Sequence, residues 1–418
     1  MKEMKHDETQ RDYALIRSLG IVMLVLLMLM SIAGAAPFAY ITNNYASNIS
    51  VIDTATNTVT TSIELDSLPF GVTVNPEGTR VYVSVMEDKI IVIDTDTNSV
   101  ITSVNVGSYP AGVAVTPSGT KVYATNYGGI GTVSVIDTAT NTVTDTIPVG
   151  NGPKGIAISP DETKVYVTNV NSNNVSVIDT ATNTVTATIP VGNGPNGIAV
   201  APNGLKVYVT CIYDYTTSVI DTTTNTVTAI IPAGNEGIAV SPDGTKIYVA
   251  NGGSNNVSVI DAATNTVITA VNVGSGPLGI ALTPDGTNIY VANCFSSNVS
   301  VIDAITNTIT ATVDVGEGPS AFGQFICPVL TPEPQVPVAN FSASPTIGKA
   351  PLTVTFADKS TGSPTCWHWK FGDKCVSTDQ NPVHTYGKAG KYTVSLTVEN
   401  EAGKDTKKIC KYIIVKNK

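Results

Sequence analysis

The sequence predicts an all-β chain: a seven-bladed β-propeller followed by a small immunoglobulin-like β-sandwich. Three observations predict it. Val-Ile-Asp recurs seven times, ending at Asp53, Asp94, Asp137, Asp179, Asp221, Asp261 and Asp303, in steps of 41, 43, 42, 42, 40 and 42 residues. A second ladder keeps the same phase, at Tyr40, Tyr82, Tyr123, Tyr166, Tyr208, Tyr248 and Tyr290. A period of about 40–45 residues holding only strand-like segments marks a propeller blade, and seven repeats make seven blades. Beyond residue 337 the repeat vanishes and larger, more varied strands take over.

One repeat, residues 153–192, shows how the elements arise. Gly155-Ile156-Ala157-Ile158 is a short apolar run stopped by the turn cluster Ser159-Pro160-Asp161-Glu162. Lys164-Val165-Tyr166-Val167-Thr168 is β-branched and aromatic, a second strand. After a polar loop, Val175-Ser176-Val177-Ile178 is a third, ended by Asp179-Thr180-Ala181-Thr182-Asn183, whose Asp and Asn fold back onto nearby amides. Thr184-Val185-Thr186-Ala187-Thr188-Ile189 is the fourth, alternating and Thr-rich as suits a wetter outer edge. Apolar positions never fall at i, i+3, i+4, so no helix fits.

The ends of the array predict how the ring shuts. No Gly-Ile-Ala-Val segment precedes Tyr40, so the first repeat lacks its innermost strand. The segment 318–326, Gly-Pro-Ser-Ala-Phe-Gly-Gln-Phe-Ile, matches the missing piece. It is expected to complete the first blade and remove two open sheet edges.

Residues 19–34 are apolar and preceded by Arg11 and Arg17, and Ala33-Gly34-Ala35 suits signal peptidase. Residues 1–35 are therefore expected to be a signal peptide, with an uncleaved N-terminal anchor as the alternative. Either way the bulk of the protein is exported to the cell surface or beyond. The propeller spans 36–326, and 327–337 is a semi-rigid spacer containing Pro328, Pro332, Pro334 and Pro337. Five Asn-X-Ser sequons, at Asn48, Asn174, Asn256, Asn298 and Asn340, are candidate glycosylation sites in an exported protein, although the repeat itself spells the first four. Charge divides between regions. Residues 36–336 hold 7 Lys and Arg against 23 Asp and Glu, whereas 337–418 hold 12 against 6. An acidic propeller with so few arginines disfavours nucleic acid as a partner.

Strands are expected in the second domain, 338–418, at 338–343, 352–356, 367–371, 390–398 and about 407–415, an immunoglobulin-like pattern. Three stretches carry a family resemblance: Trp367-His368-Trp369-Lys370-Phe371-Gly372-Asp373, Asn381-Pro382-Val383-His384-Thr385-Tyr386, and Gly390-Lys391-Tyr392-Thr393-Val394. In order and spacing they resemble the polycystic kidney disease (PKD) domain, with Trp369 and Phe371 alternating into the core. Lys374-Cys375 departs from it, standing where the family usually carries small turn residues. Residues 38–326 in turn resemble the YVTN repeat family, through Val165-Tyr166-Val167-Thr168-Asn169 and its relaxed copies Tyr40-Ile41-Thr42-Asn43 and Tyr248-Val249-Ala250-Asn251. The pairing is similar to archaeal surface-layer and cell-surface proteins. That resemblance implies surface-layer or other cell-surface proteins as partners; glycans are expected as partners on the strength of the loop aromatics, and the membrane only through the N-terminal segment if it is uncleaved.

Chemistry-bearing residues are sparse. The histidines are His6, His368 and His384, so the propeller offers no His ligand or His general base. No catalytic residue, cofactor or metal is expected. The recurrent aspartates open Asp-Thr-Xaa-Thr-Asn turns and read as structural caps. His384 reads as structural and His368 as solvent-facing. Of the six cysteines, Cys366 with Cys375 or with Cys410 are candidate disulfides, and the sequence does not choose. The repeats disagree most after the second strand, at Glu87 and Asp88, at Tyr127, at Tyr213, Asp214 and Tyr215, and at Phe295. These are the candidate interaction loops, with neutral variation as the competing account. The chain reads as a non-enzymatic surface protein presenting both modules for protein or glycan interaction and cell-cell contact. The alternatives are an extracellular propeller hydrolase or lyase, with acidic residues at the channel mouth, and a carbohydrate-binding adhesin.

Overall fold

The computed structural model describes residues 37–328, 336–400 and 402–418. The expected leader and most of the proline-rich spacer lie outside these residues. The chain divides into two units between Leu330 and Thr331. Every regular element among the described residues is a β-strand, and none of those residues forms a helix long and apolar enough to cross a membrane.

The first unit is seven antiparallel sheets, one per repeat. The fourth blade shows the pattern: Pro153–Ile158 innermost, then Lys164–Asn169, Asn174–Asp179 and Thr184–Pro190 outermost. The second and third strands are buried on both faces because neighbouring blades cover them. The outer strand alternates between exposed and half-buried until Ile189. The tyrosine ladder is fully buried, and three of its hydroxyls reach turn asparagines, among them Tyr40, which donates to Asn98 Oδ1 (3.0 Å), and Tyr290, which donates to Asn57 Oδ1 (2.5 Å). Those asparagines lie at φ of 50° to 57°, the left-handed region that Asn tolerates. The paired Asp caps the same turn: Asp179 Oδ1 accepts from the Thr182 amide (2.9 Å) and hydroxyl (3.0 Å).

A buried hydroxyl staples one blade to the next. Thr168 Oγ1 accepts from the Gly155 amide of its own blade and donates to the Asn196 carbonyl of the following one, both at 2.8 Å. Thr42, Ser84, Thr125 and Thr210 repeat the arrangement, while Ala250 and Ala292 lack it. Gly155 is required because a Cβ there would sit 2.2 Å from the Asn196 oxygen. Thr168→Val keeps the shape but strands a buried amide and a buried carbonyl, so it should lower stability by about 1–3 kcal/mol. A denaturant titration of T168V with an unchanged midpoint would show that the staple contributes nothing.

The closing segment departs from a regular strand. Asn43 pairs with Pro319 and Ala39 with Ile326, so the segment spends seven residues against four, where the fourth blade spends five against four. The excess bows toward the second blade, where Phe322 accepts from the Val72 amide (3.1 Å) and Gln324 from that of Val74 (3.1 Å). Cys327, assigned to the spacer from its proline-rich surroundings, belongs to the propeller: it is buried, and its amide donates to the Phe38 carbonyl (2.8 Å).

The second unit is a sandwich. One sheet joins Phe341–Ser344, Leu352–Asp358 and Val383–Tyr386; the other joins Ile347–Lys349, Gly403–Lys416, Gly390–Asn400, Cys366–Lys370 and Val376–Ser377. Trp369, Phe356, Phe371, Tyr386 and Leu396 are buried between them, with Phe341 meeting Trp369 edge-on at 5.2 Å. Trp369 Nε1 donates to the Asp379 carbonyl (2.9 Å) and the Tyr386 hydroxyl to that of Phe371 (3.0 Å), satisfying the polar ends of both rings. His368 is exposed. His384 stacks on Phe371 at 4.3 Å and hydrogen-bonds Asp373 (2.7 Å).

Neither candidate disulfide is present: all three cysteines are free and exposed. Register supplies the reason. Cys366 lies opposite Glu399, while Val376, next to Cys375, pairs with Lys370 at the far end of the same strand. Cys410 follows Ile409, which pairs with Val394, five residues from Glu399. At about 3.3 Å per residue either partner is roughly 13–17 Å away, beyond the ~7 Å Cα limit for a bridge.

Candidate functional site: the loop rim of the propeller

Antiparallel order sends two sets of loops to one rim: those joining second to third strands, and those joining an outer strand to the next blade. All the exposed large aromatic side chains among the described propeller residues stand there: Tyr45, Tyr109, Tyr127, Tyr213, Tyr215 and Phe295. The opposite rim carries the nearly invariant Asp-capped turns.

Three of these rings are held by backbone design. In four of the seven copies the loop entering the innermost strand carries a Gly before Pro, at φ of 65° for Gly194, 63° for Gly276 and 66° for Gly318. A Cβ on these glycines would lie 2.6 Å from Tyr213, 2.5 Å from Phe295 and 2.6 Å from Tyr45. Each aromatic ring therefore packs over a bare Cα yet stays 62% to 74% exposed, a rigid platform presented to solvent. Tyr215, at φ 55°, and Tyr127 are exposed beside them.

The acidic candidates divide. Asp214 accepts from the amide and side chain of Asn193 (2.6 and 2.9 Å), which hold its carboxyl below the usual range, and Asp88 accepts from the Tyr109 amide (2.9 Å). Both tie adjacent loops together and so fix the tyrosines. Glu87 is exposed. Four sequons open third strands: Asn48, Asn174, Asn256 and Asn298 are half-buried, each accepting from the Asn five residues earlier, and their serines Ser50, Ser176, Ser258 and Ser300 are buried. Asn340, in the second unit, is exposed.

Sequence reasoning missed the residues around the axis. The position between Pro and Gly at the head of each innermost strand reads Phe70, Ala111, Lys154, Asn196, Glu236, Leu278 and, in the closing segment, Ser320; Asn235 replaces the Pro in the Glu236 copy, and Ala321 replaces the Gly in the closing segment. It is the most chemically diverse position of an otherwise repetitive strand, and that diversity was the available signal. Lys154 Nζ lies 5.5 Å from the Phe70 ring centre and 5.6 Å from that of Phe322. Burial pushes its ammonium below the ordinary lysine range, opposed by the Glu236 charge. Burial pushes Glu236 up, opposed by Lys154 and by Asn196 Nδ2, which donates to it at 2.8 Å. Along the axis lies a cavity of about 510 Å³ lined by Ile156, Ile158, Ile198, Val200, Ile238 and Phe322 among others. Lys154, Glu236 and the Phe70–Phe322 pair gather at the heads of the innermost strands, whereas the cavity itself is lined largely by apolar residues and by none of Lys154, Glu236 and Phe70.

Fold and rim together define a β-propeller protein with a PKD module. A PKD domain family model matches residues 332–415, a YNCE-like β-propeller model 120–206, and a seven-bladed lactonase β-propeller model 180–321. Collagenase ColA of Bacillus cereus is 48% identical over 46 residues, 11% of this chain and 5% of the collagenase. The chain thus matches only about one-twentieth of that relative's length. Hydrazine synthase of Kuenenia stuttgartiensis superposes with a TM-score of 0.57 at 24% identity, covering 65% of this chain and 96% of that one. A functionally unknown protein from Desulfotomaculum acetoxidans gives 0.60 at 19%, covering 70% and 99%. At these identities the two structures establish the propeller fold alone.

Proposed function

We propose that this is a non-enzymatic, exported cell-surface protein of the surface-layer kind. Its propeller rim and PKD module engage proteins or glycans of neighbouring molecules at cell contacts. The observation that carries the reading is the confinement of every large exposed aromatic of the described propeller to one rim, three of them rigidly seated on glycines. Rigid, exposed aromatics lose little conformational freedom on docking and are the side chains that dominate binding energy. The PKD module and the match to a collagenase support a place outside the cell.

Fractionation of intact cells should place the protein in the envelope. Tyr213→Ala with Tyr215→Ala should cut binding to isolated envelopes or an arrayed glycan by at least tenfold. Because both rings are exposed, the melting midpoint should stay within the shift expected of surface changes, about 0.5 kcal/mol. Undiminished binding by the double variant would remove the rim as the contact face.

Lys154 and Glu236 favour a second reading, an extracellular hydrolase of the lactonase kind working at the axis. It requires turnover of lactone substrates by the purified protein that Glu236→Gln abolishes.

A further inference from the structure

The turn after the tryptophan strand of the second unit gathers three unlike donor groups. Gly372 at φ 90° and Lys374 at φ 80° curl the chain, and the Cys375 amide donates to Asp373 Oδ1 (3.1 Å). His384 arrives from the other sheet and sets Nε2 2.7 Å from Asp373 Oδ2. A carboxylate oxygen of Asp373, the Cys375 sulfur and a ring nitrogen of His384 all lie within 4.8 Å of one another.

We propose that Asp373, Cys375 and His384 bind a divalent cation of the zinc class. A tetrahedral zinc with bonds of about 2.0–2.3 Å needs its donors roughly 3.2–3.7 Å apart. Closing the present arrangement requires only that the exposed Cys375 swing inward by about 1 Å and that the cation replace the hydrogen bond between His384 and Asp373. The imidazole is already aimed: it is stacked on Phe371 with 6° between planes and meets Tyr386 edge-on at 4.7 Å, so the ring has little freedom to lose. One thiolate, one imidazole and one carboxylate favour zinc or cobalt over magnesium and calcium, which take oxygen ligands. The partly exposed turn leaves the fourth position to water and gives the ion a way in. No cofactor or metal was expected from the sequence; the third ligand arrives on a strand of the opposite sheet.

Cobalt titrated into the reduced full-length protein is the test. Thiolate ligation should produce a sulfur-to-cobalt charge-transfer band in the near ultraviolet, saturating at one ion per chain and displaced by zinc. Cys375→Ala should abolish the band and weaken zinc at least tenfold. Cys375 is exposed, so its metal-free melting midpoint should be unchanged. The double variant Cys366→Ala, Cys410→Ala should retain the band. Cobalt binding without that band, a band that survives in C375A, or no cobalt binding at all would overturn the proposal.

Discussion

Deleting residues 319–327 should open the propeller and make the protein self-associate beyond the state of the parent chain. Those residues supply the partners of the innermost remaining strand of the first blade: Phe325 accepts from the Tyr40 amide (2.9 Å), Thr42 from the Ser320 amide (2.8 Å) and Phe38 from the Cys327 amide (2.8 Å). The same stretch contributes Ala321, Phe325, Ile326 and Cys327 to the largest apolar cluster of the ring. Without it the strand Phe38–Asn43 presents an unpaired edge, a template for another chain. Phe325→Ala isolates the packing part: the side chain is fully buried, and losing it should cost about 3–5 kcal/mol. Size-exclusion chromatography and calorimetry follow both effects. A deletion variant that elutes at the parent's size and melts at the parent temperature would mean that the ring is shut by something else.

The blades were legible because each is a local statement: a period-2 apolar run, a turn cluster, and a repeat that confirms the reading six more times. For the fourth blade, observed strand ends lie within two residues of those read from the sequence. What escaped notice depends on contacts distant in sequence. Ile347–Lys349 is a strand only because it lies parallel to Gly403–Lys416, and Val376–Ser377 is two residues long. Val383–Tyr386 was visible as a motif and not as a strand, since Pro382 and a short length hide its pattern. Lys154 and Glu236 carried no sequence reading of their own; only closing the ring brings them to one axis. The aromatic loops, by contrast, stood out as disagreements among copies, although the glycines that seat them belong to the preceding connection and drew no attention. Nor did the approach of Cys375 to His384, nine residues apart and joined only by the meeting of two sheets.

Stability should fall at both ends of the pH scale, and the propeller's turns and tyrosines determine where. Backbone amides of the turn threonines, then their hydroxyls, hold Asp94, Asp179, Asp261 and Asp303 below the usual carboxylate range; for Asp137 the hydroxyl leads. Asp221 is lowered chiefly by the Thr224 amide, and Asp161 and Asp243 first by Ser159 and Ser241. Below about pH 3.9, where unfolded aspartates take up protons, the folded carboxylates still resist protonation. The unfolded chain then binds more protons, and stability drops as pH falls toward the folded values. Above that window these groups make no change with pH. The buried tyrosines act in the opposite direction: burial pushes Tyr123, Tyr166 and Tyr248 up to about 12. Unfolded tyrosines lose protons near pH 10, so their contribution is complete below that and disappears as pH rises to about 12. The melting midpoint should therefore be level from about pH 5 to 9, fall steeply below 4, and fall again above 10 together with the appearance of tyrosinate absorbance. Replacing Asp179, Asp221 and Asp261 by Asn keeps a side-chain oxygen at each turn while removing its titration, so the acid limb should flatten in the triple variant. An acid limb of undiminished slope would show that the turn carboxylates are not what holds the blades together against protonation.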